Sequence, residues 1–112
     1  MRQKFRLKYE RYDVPDHTKL ALEDYFFHGY EPGSFLMAVL CNDLMGAVNR
    51  CDHINREHIV DIAKWVMHNA PCSSWGKRAM VMDWVNDTNG TRTKFVDEFE
   101  KRLMWETLAT NV

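Results

Sequence analysis

From Pro32 to Val48 the chain reads PGSFLMAVLCNDLMGAV, an almost wholly apolar run entered through a turn. Pro32-Gly33 supplies the turn, and Ser34 is a good N-cap for a helix. Phe35, Val39, Leu40, Leu44, Ala47 and Val48 recur at helical spacing, and Leu36, Met37 and Met45 widen the apolar arc. The spacing predicts one helix across this run, central and more buried than its neighbours. A helix of that kind must be covered by other elements, which here also read as helices. Two polar residues, Asn42 and Asp43, interrupt the run. Polar groups out of water cost free energy unless something bonds them. Asn42 and Asp43 therefore face solvent, bond another helix, or serve a ligand or partner.

The flanks carry the same signals. Val14-Pro15-Asp16 opens a helix with proline in the first turn and acids Asp13 and Asp16 near its positive end. Leu22, Tyr25 and Phe26 give its apolar stripe, and Gly29 stops it. Asn55 reads as the cap of a third helix, with Ile54 and Ile59 at staple spacing and Ile62, Ala63 and Val66 continuing the stripe. Pro71 ends that helix at Ala70. Ser73 or Ser74 reads as the cap of a fourth, carrying Trp75, Ala79, Met82 and Val85. Asn86 to Gly90 is a polar break. Thr93 reads as the cap of a last helix with Phe95 or Val96, Phe99 and Leu103 inside. The expectation is all-α: a compact bundle of about five short helices over residues 14–109, in one domain of 112 residues.

Ahead of the bundle, Lys4-Phe5-Arg6-Leu7-Lys8-Tyr9-Glu10 alternates with period two, the pattern of a short extended or β arm. Such an arm pairs with a symmetry mate, pairs with a partner protein, or lies across the helices. Residues 1–12 hold Arg2, Lys4, Arg6, Lys8 and Arg11 against Glu10 alone, on a chain whose net charge is −1. A basic arm on an acidic body suits an anionic partner, and the same alternation keeps an exposed edge soluble. No uncharged apolar segment reaches membrane-spanning length, and no apolar block follows the basic start, so neither a membrane span nor a secretory signal is expected. Three cysteines, Cys41, Cys51 and Cys72, form no framework and read as reduced thiols of a cytoplasmic protein.

No catalytic constellation stands out. His53, His58, His68, Cys51 and Cys72 lack the paired ligand spacing of a structural zinc site. Asp43, Asp52, Asp61 and Glu57 lack the repeated Glu-x-x-His of helical dimetal proteins. Pro32-Gly33-Ser34 lacks the lysine and second glycine of a phosphate loop. No metal and no cofactor is expected. The helix after Asn55 mixes Arg56 and Lys64 with Glu57 and Asp61, unlike a basic DNA-reading helix. Tyr25, Phe26, Phe27 and Tyr30, with Trp65, Trp75, Trp84 and Trp105, serve the core for the most part, and the surplus suits an interface.

The run Pro32-Gly33 … Phe35-Leu36 … Ala38-Val39-Leu40 … Asn42-Asp43-Leu44 … Ala47 … Arg50 … Asp52 … Asn55, followed by Pro71-Cys72-Ser73-Ser74-Trp75-Gly76 and Trp84, resembles a group of small proteins encoded by tailed bacteriophages. The resemblance covers about residues 18 to 85. It implies a phage origin and a helical fold, and it carries over no catalytic residue. The expected function is that of a phage accessory protein in the host cytoplasm, a binding module without catalysis that engages and modulates a host protein. The alternative is a small enzyme or a nucleotide or small-molecule binder, with Asn42, Asp43, Arg50 and Asp52 as polar site groups. The candidate contact residues are Asn42, Asp43, Arg50, Asp52 and Asn55, with Arg2, Lys4, Arg6 and Lys8 for a partner or, less strongly, for nucleic acid. A homodimer is compatible with each reading.

Overall fold

The computed structural model describes the backbone of residues 7–110 and the side chains of residues 7–104. Its elements are α1 (Asp16–His28), α2 (Ser34–Leu40), α3 (Leu44–Arg50), α4 (His53–Arg56), α5 (Ile59–Asn69), a 3-10 turn (Cys72–Ser74), α6 (Arg78–Asn86) and α7 (Thr91–Thr110). The all-α expectation stands for the described residues, with seven helices in place of five.

The long central helix does not form. Asn42 takes a left-handed conformation at φ 63°. Its N–H bonds Val39 O at 3.1 Å, and the Asp43 N–H bonds Ala38 O at 2.8 Å. This is a Schellman stop with asparagine, the non-glycine residue that enters αL at least cost, in the left-handed position. Asp43 then caps α3, accepting the Gly46 N–H at 3.0 Å. The two polar residues of the apolar run are thus a helix stop and a helix start in succession. Because the axis turns there, Leu44, Met45 and Val48 leave the core, and in α3 only Ala47 is buried.

The centre of the molecule is α1 instead. Leu22, Tyr25 and Phe26 are fully buried, as their stripe predicts, and Thr18 and Glu23 are buried with them. Gly29 ends α1 at φ 69°. Aromatic rings run through the core on either side of this helix. Tyr9 stacks on Trp65 at 4.8 Å, and Trp65 meets Phe26 at 5.9 Å. Beyond Phe26 come Tyr25 at 5.2 Å, Trp84 at 6.3 Å and Phe95 at 5.6 Å. Both buried indoles have an acceptor: Trp65 Nε1 donates to Lys8 O at 2.9 Å, and Trp84 Nε1 donates to Tyr25 O at 3.1 Å. Such pairing is what lets tryptophan sit in a core. The expectation that most aromatics pack the interior holds for these residues.

Other boundaries shift for local reasons. Asp52, not Asn55, is a cap: it accepts the Asn55 N–H at 2.7 Å and starts the short α4, while Ile54 stays half exposed. Pro71 ends α5 as expected, with Ala70 extended at ψ 148°. Ser74 caps no helix. Its hydroxyl donates to Pro71 O at 2.6 Å, it is fully buried, and its carbonyl accepts the Tyr25 hydroxyl. The next helix begins only at Arg78. At the polar break Asp87 takes φ 52° and closes α6 by the same device as Asn42, with Asp87 N–H on Trp84 O and Thr88 N–H on Asp83 O, both 3.2 Å. Its carboxylate accepts the Arg92 N–H at 3.0 Å and the Thr93 hydroxyl, so Asp87 rather than Thr93 caps α7. Along α7, Phe95 and Phe99 lie 5.6 and 4.9 Å from Phe27, as their spacing requires.

Residues 7–10 form no strand. They lie across α1 and α5, held by one buried carboxylate. Glu23 Oε2 accepts the Leu7 N–H at 3.1 Å and the Tyr9 hydroxyl at 3.0 Å. The remainder of the predicted arm, with Arg2, Lys4 and Arg6, lies outside the described residues.

Candidate functional site

The run from Asn42 to Asn55 separates into two sites. The first is the α2–α3 joint. Asn42 is exposed there, and Asp43 pairs with Arg50 at 3.8 Å, both side chains about half exposed. The pair passes over Gly46, where a Cβ would collide with both side chains. Asp43 therefore faces solvent and is committed to a backbone N–H and a surface cation. It is not among the residues that line the two grooves described below.

The second site joins α4 to α1. Asn55 is 5% exposed and Thr18 is 1% exposed, and the Thr18 hydroxyl donates to Asn55 Oδ1 at 2.6 Å. Asn55 Nδ2 lies 3.3 Å from His17 Nε2, and that nitrogen lies 3.5 Å from Asp52 Oδ2. The Asn55 N–H holds the Asp52 carboxyl below the usual carboxylate range, helped by His17 and His53 nearby, so the group is ionised at neutral pH. This cluster opens onto a groove of about 240 Å³ whose other walls are Ala21, Gly33, Ser34, Phe35 and Leu36. Asp52 and Asn55 were legible as candidates; His17 and Thr18 were not. Thr18 stands four residues before Leu22 on the buried stripe of α1, and a small polar residue in that register is the signal that it meets a partner from another helix.

A second groove, about 270 Å³, runs between the N-terminal segment, α5 and α7, with Leu7, Trp65, Phe99 and Leu103 as apolar walls and Lys8 and Arg102 as cations. Lys8 contributes to the fold through its carbonyl, and its side chain is exposed.

Burial pushes the Cys41 thiol up, away from the thiolate form that attacks. Burial likewise raises the Tyr25 phenol, whose hydroxyl is bound to Ser74 O. Cys51 Sγ donates to Val48 O at 3.2 Å. Among the described residues no three of His, Cys, Asp and Glu gather as a metal site, and no helix is long and apolar enough to cross a membrane.

Among the described residues, α3 carries a group of exposed apolar side chains. Leu44 is 68% exposed, Met45 78% and Val48 54%, and Ile54 is 47% exposed on α4 just beyond. Positions 44, 45 and 48 fall on one side of α3 at helical spacing. Compared with known proteins, the chain matches no protein-family model, no curated protein and no solved structure.

Proposed function

We propose that this protein is a docking module that engages a host protein through α3 and alters that protein's activity, without chemistry of its own. The observation that carries the reading is the exposed face of Leu44, Met45 and Val48. Large apolar side chains scattered singly on a surface need no account, but three on one side of a seven-residue helix form a patch of the kind partners cover. Methionine at its centre suits contact with a surface of unspecified shape, because it is unbranched and polarizable. The turn at Asn42-Asp43 lifts this face out of the core, and the Asp43–Arg50 pair braces the raised helix on its other side. The phage origin implied by the resemblance makes a host protein in the host cytoplasm the natural partner. A helix laid into an apolar groove is the matching recognition mode.

The test uses the purified chain as bait against host lysate, beside the double variant Met45→Glu, Val48→Glu. Both side chains are exposed, so the variant keeps its circular dichroism and its melting temperature. The expected result is a stoichiometric protein captured by the wild type and lost by the variant. Reconstituted with that protein, the variant binds at least about 30-fold more weakly, the effect of placing charge in a desolvated apolar contact. No stoichiometric partner, or equal capture by both chains, overturns the reading. So does a wild type that is a dimer through this face and captures nothing else.

A further inference from the structure

The groove beside α4 is the wrong size for most ligands and the right size for one side chain. Small-molecule pockets usually enclose about 300–1,000 Å³; this one is about 240 Å³. Its long wall is apolar, from Ala21, Phe35 and Leu36, and its one anion is Asp52. Asp52 spends Oδ1 on the Asn55 N–H at 2.7 Å. The Ile54 N–H also reaches the carboxylate, and His17 Nε2 is 3.5 Å from Oδ2, longer than a good hydrogen bond; with about four acceptor sites over two oxygens, the carboxylate keeps accepting capacity on both. Behind it, the buried Thr18–Asn55 bond fixes α4 against α1 and holds the carboxylate in place.

We propose that this groove receives a single arginine side chain of the protein partner, its methylene stem along Ala21, Phe35 and Leu36 and its guanidinium on the Asp52 carboxylate. An arginine fits the charge and the shape together. Its stem buries apolar surface, and its planar fork matches a carboxylate with two directed N–H bonds, which an ammonium does not supply. His17 borders the same carboxylate, its Nε2 3.5 Å from Oδ2. The site is separate from the α3 face. It rests on the docking reading only in that a protein supplies the arginine, and it is tested without any protein partner.

The probes are Nα-acetyl-arginine methylamide and its uncharged citrulline counterpart, each titrated into the isotope-labelled protein and followed by amide chemical shifts. The arginine probe produces saturable shifts confined to residues 17–21, 33–36 and 52–55, with a dissociation constant in the millimolar range. The citrulline probe binds at least about 10-fold more weakly, since it lacks the charge that Asp52 recognises. Asp52→Asn keeps the α4 cap, because asparagine caps as well as aspartate, and it weakens arginine binding at least about 10-fold. Absence of saturable shifts at these residues, equal binding of citrulline, or unchanged binding to Asp52→Asn overturns the proposal. None of these outcomes touches the α3 reading, whose test is the loss of capture by the Met45, Val48 variant.

Discussion

Two residues show how single positions hold the helices together. Gly29 ends α1 in the left-handed region, and the Arg92 guanidinium lies 2.6 Å from where its Cβ would be. Arg92 uses that space to bond the last carbonyls of α6, with Nε on Trp84 O at 3.1 Å and Nη2 on Val85 O at 3.4 Å. Gly29→Ala strains the backbone and displaces Arg92 together. The expected loss is about 2–3 kcal/mol, read by urea unfolding. Asp87 is the second. The Thr93 hydroxyl, and then the Thr93 and Arg92 N–H groups, hold its carboxyl below the ordinary range. A carboxylate lowered in the folded state adds stability that is complete above its unfolded value near 4 and fades as pH falls through the folded value. Asp87→Asn tolerates the left-handed backbone and keeps an acceptor but does not titrate. The wild type is therefore the more stable by a constant margin from pH 5 to 8, and the margin narrows below about pH 4. Melting temperatures across that range check the sign.

Among the elements, the α2–α3 joint and the N-terminal segment decide what the surface offers. Glu23 is fully buried on α1 and accepts from both Leu7 N–H and the Tyr9 hydroxyl. Glu23→Ala leaves both donors without that acceptor. The expected cost is about 3 kcal/mol, with faster amide exchange at Leu7 and altered fluorescence of Trp65, on which Tyr9 stacks. If exchange at Leu7 and the Trp65 signal are unchanged, the carboxylate does not hold the segment. The period-two pattern of the segment matches the alternation of half-buried Leu7 and Tyr9 with exposed Lys8 and Glu10, but it did not name what the segment packs against. A pattern of alternation cannot distinguish pairing with a strand from lying on helices, because both expose and bury every second side chain. The apolar run misleads in the opposite way. Its spacing continues across Asn42-Asp43 as if one helix ran through, yet asparagine in a left-handed stop followed by aspartate as a cap is a break written in two letters.

For the whole molecule, hydrophobic spacing by itself determined the all-α class of the described residues; the stripes of α1 and α5 find the core, whereas in α6 the buried face is Val81 and Trp84 rather than Ala79, Met82 and Val85. The stripe of Leu22, Tyr25 and Phe26, the stop at Gly29 and the end of α5 before Pro71 were all legible, because each depends on neighbours within a turn or two. Only the tertiary structure decided which helix is central, where Thr18 and Asn55 meet across 37 positions, and that Leu44, Met45 and Val48 face outwards. The physical reason is that burial belongs to the packed assembly. A left-handed residue turns the axis by an amount that periodicity does not record, and one such turn carries three apolar side chains from the interior to the surface.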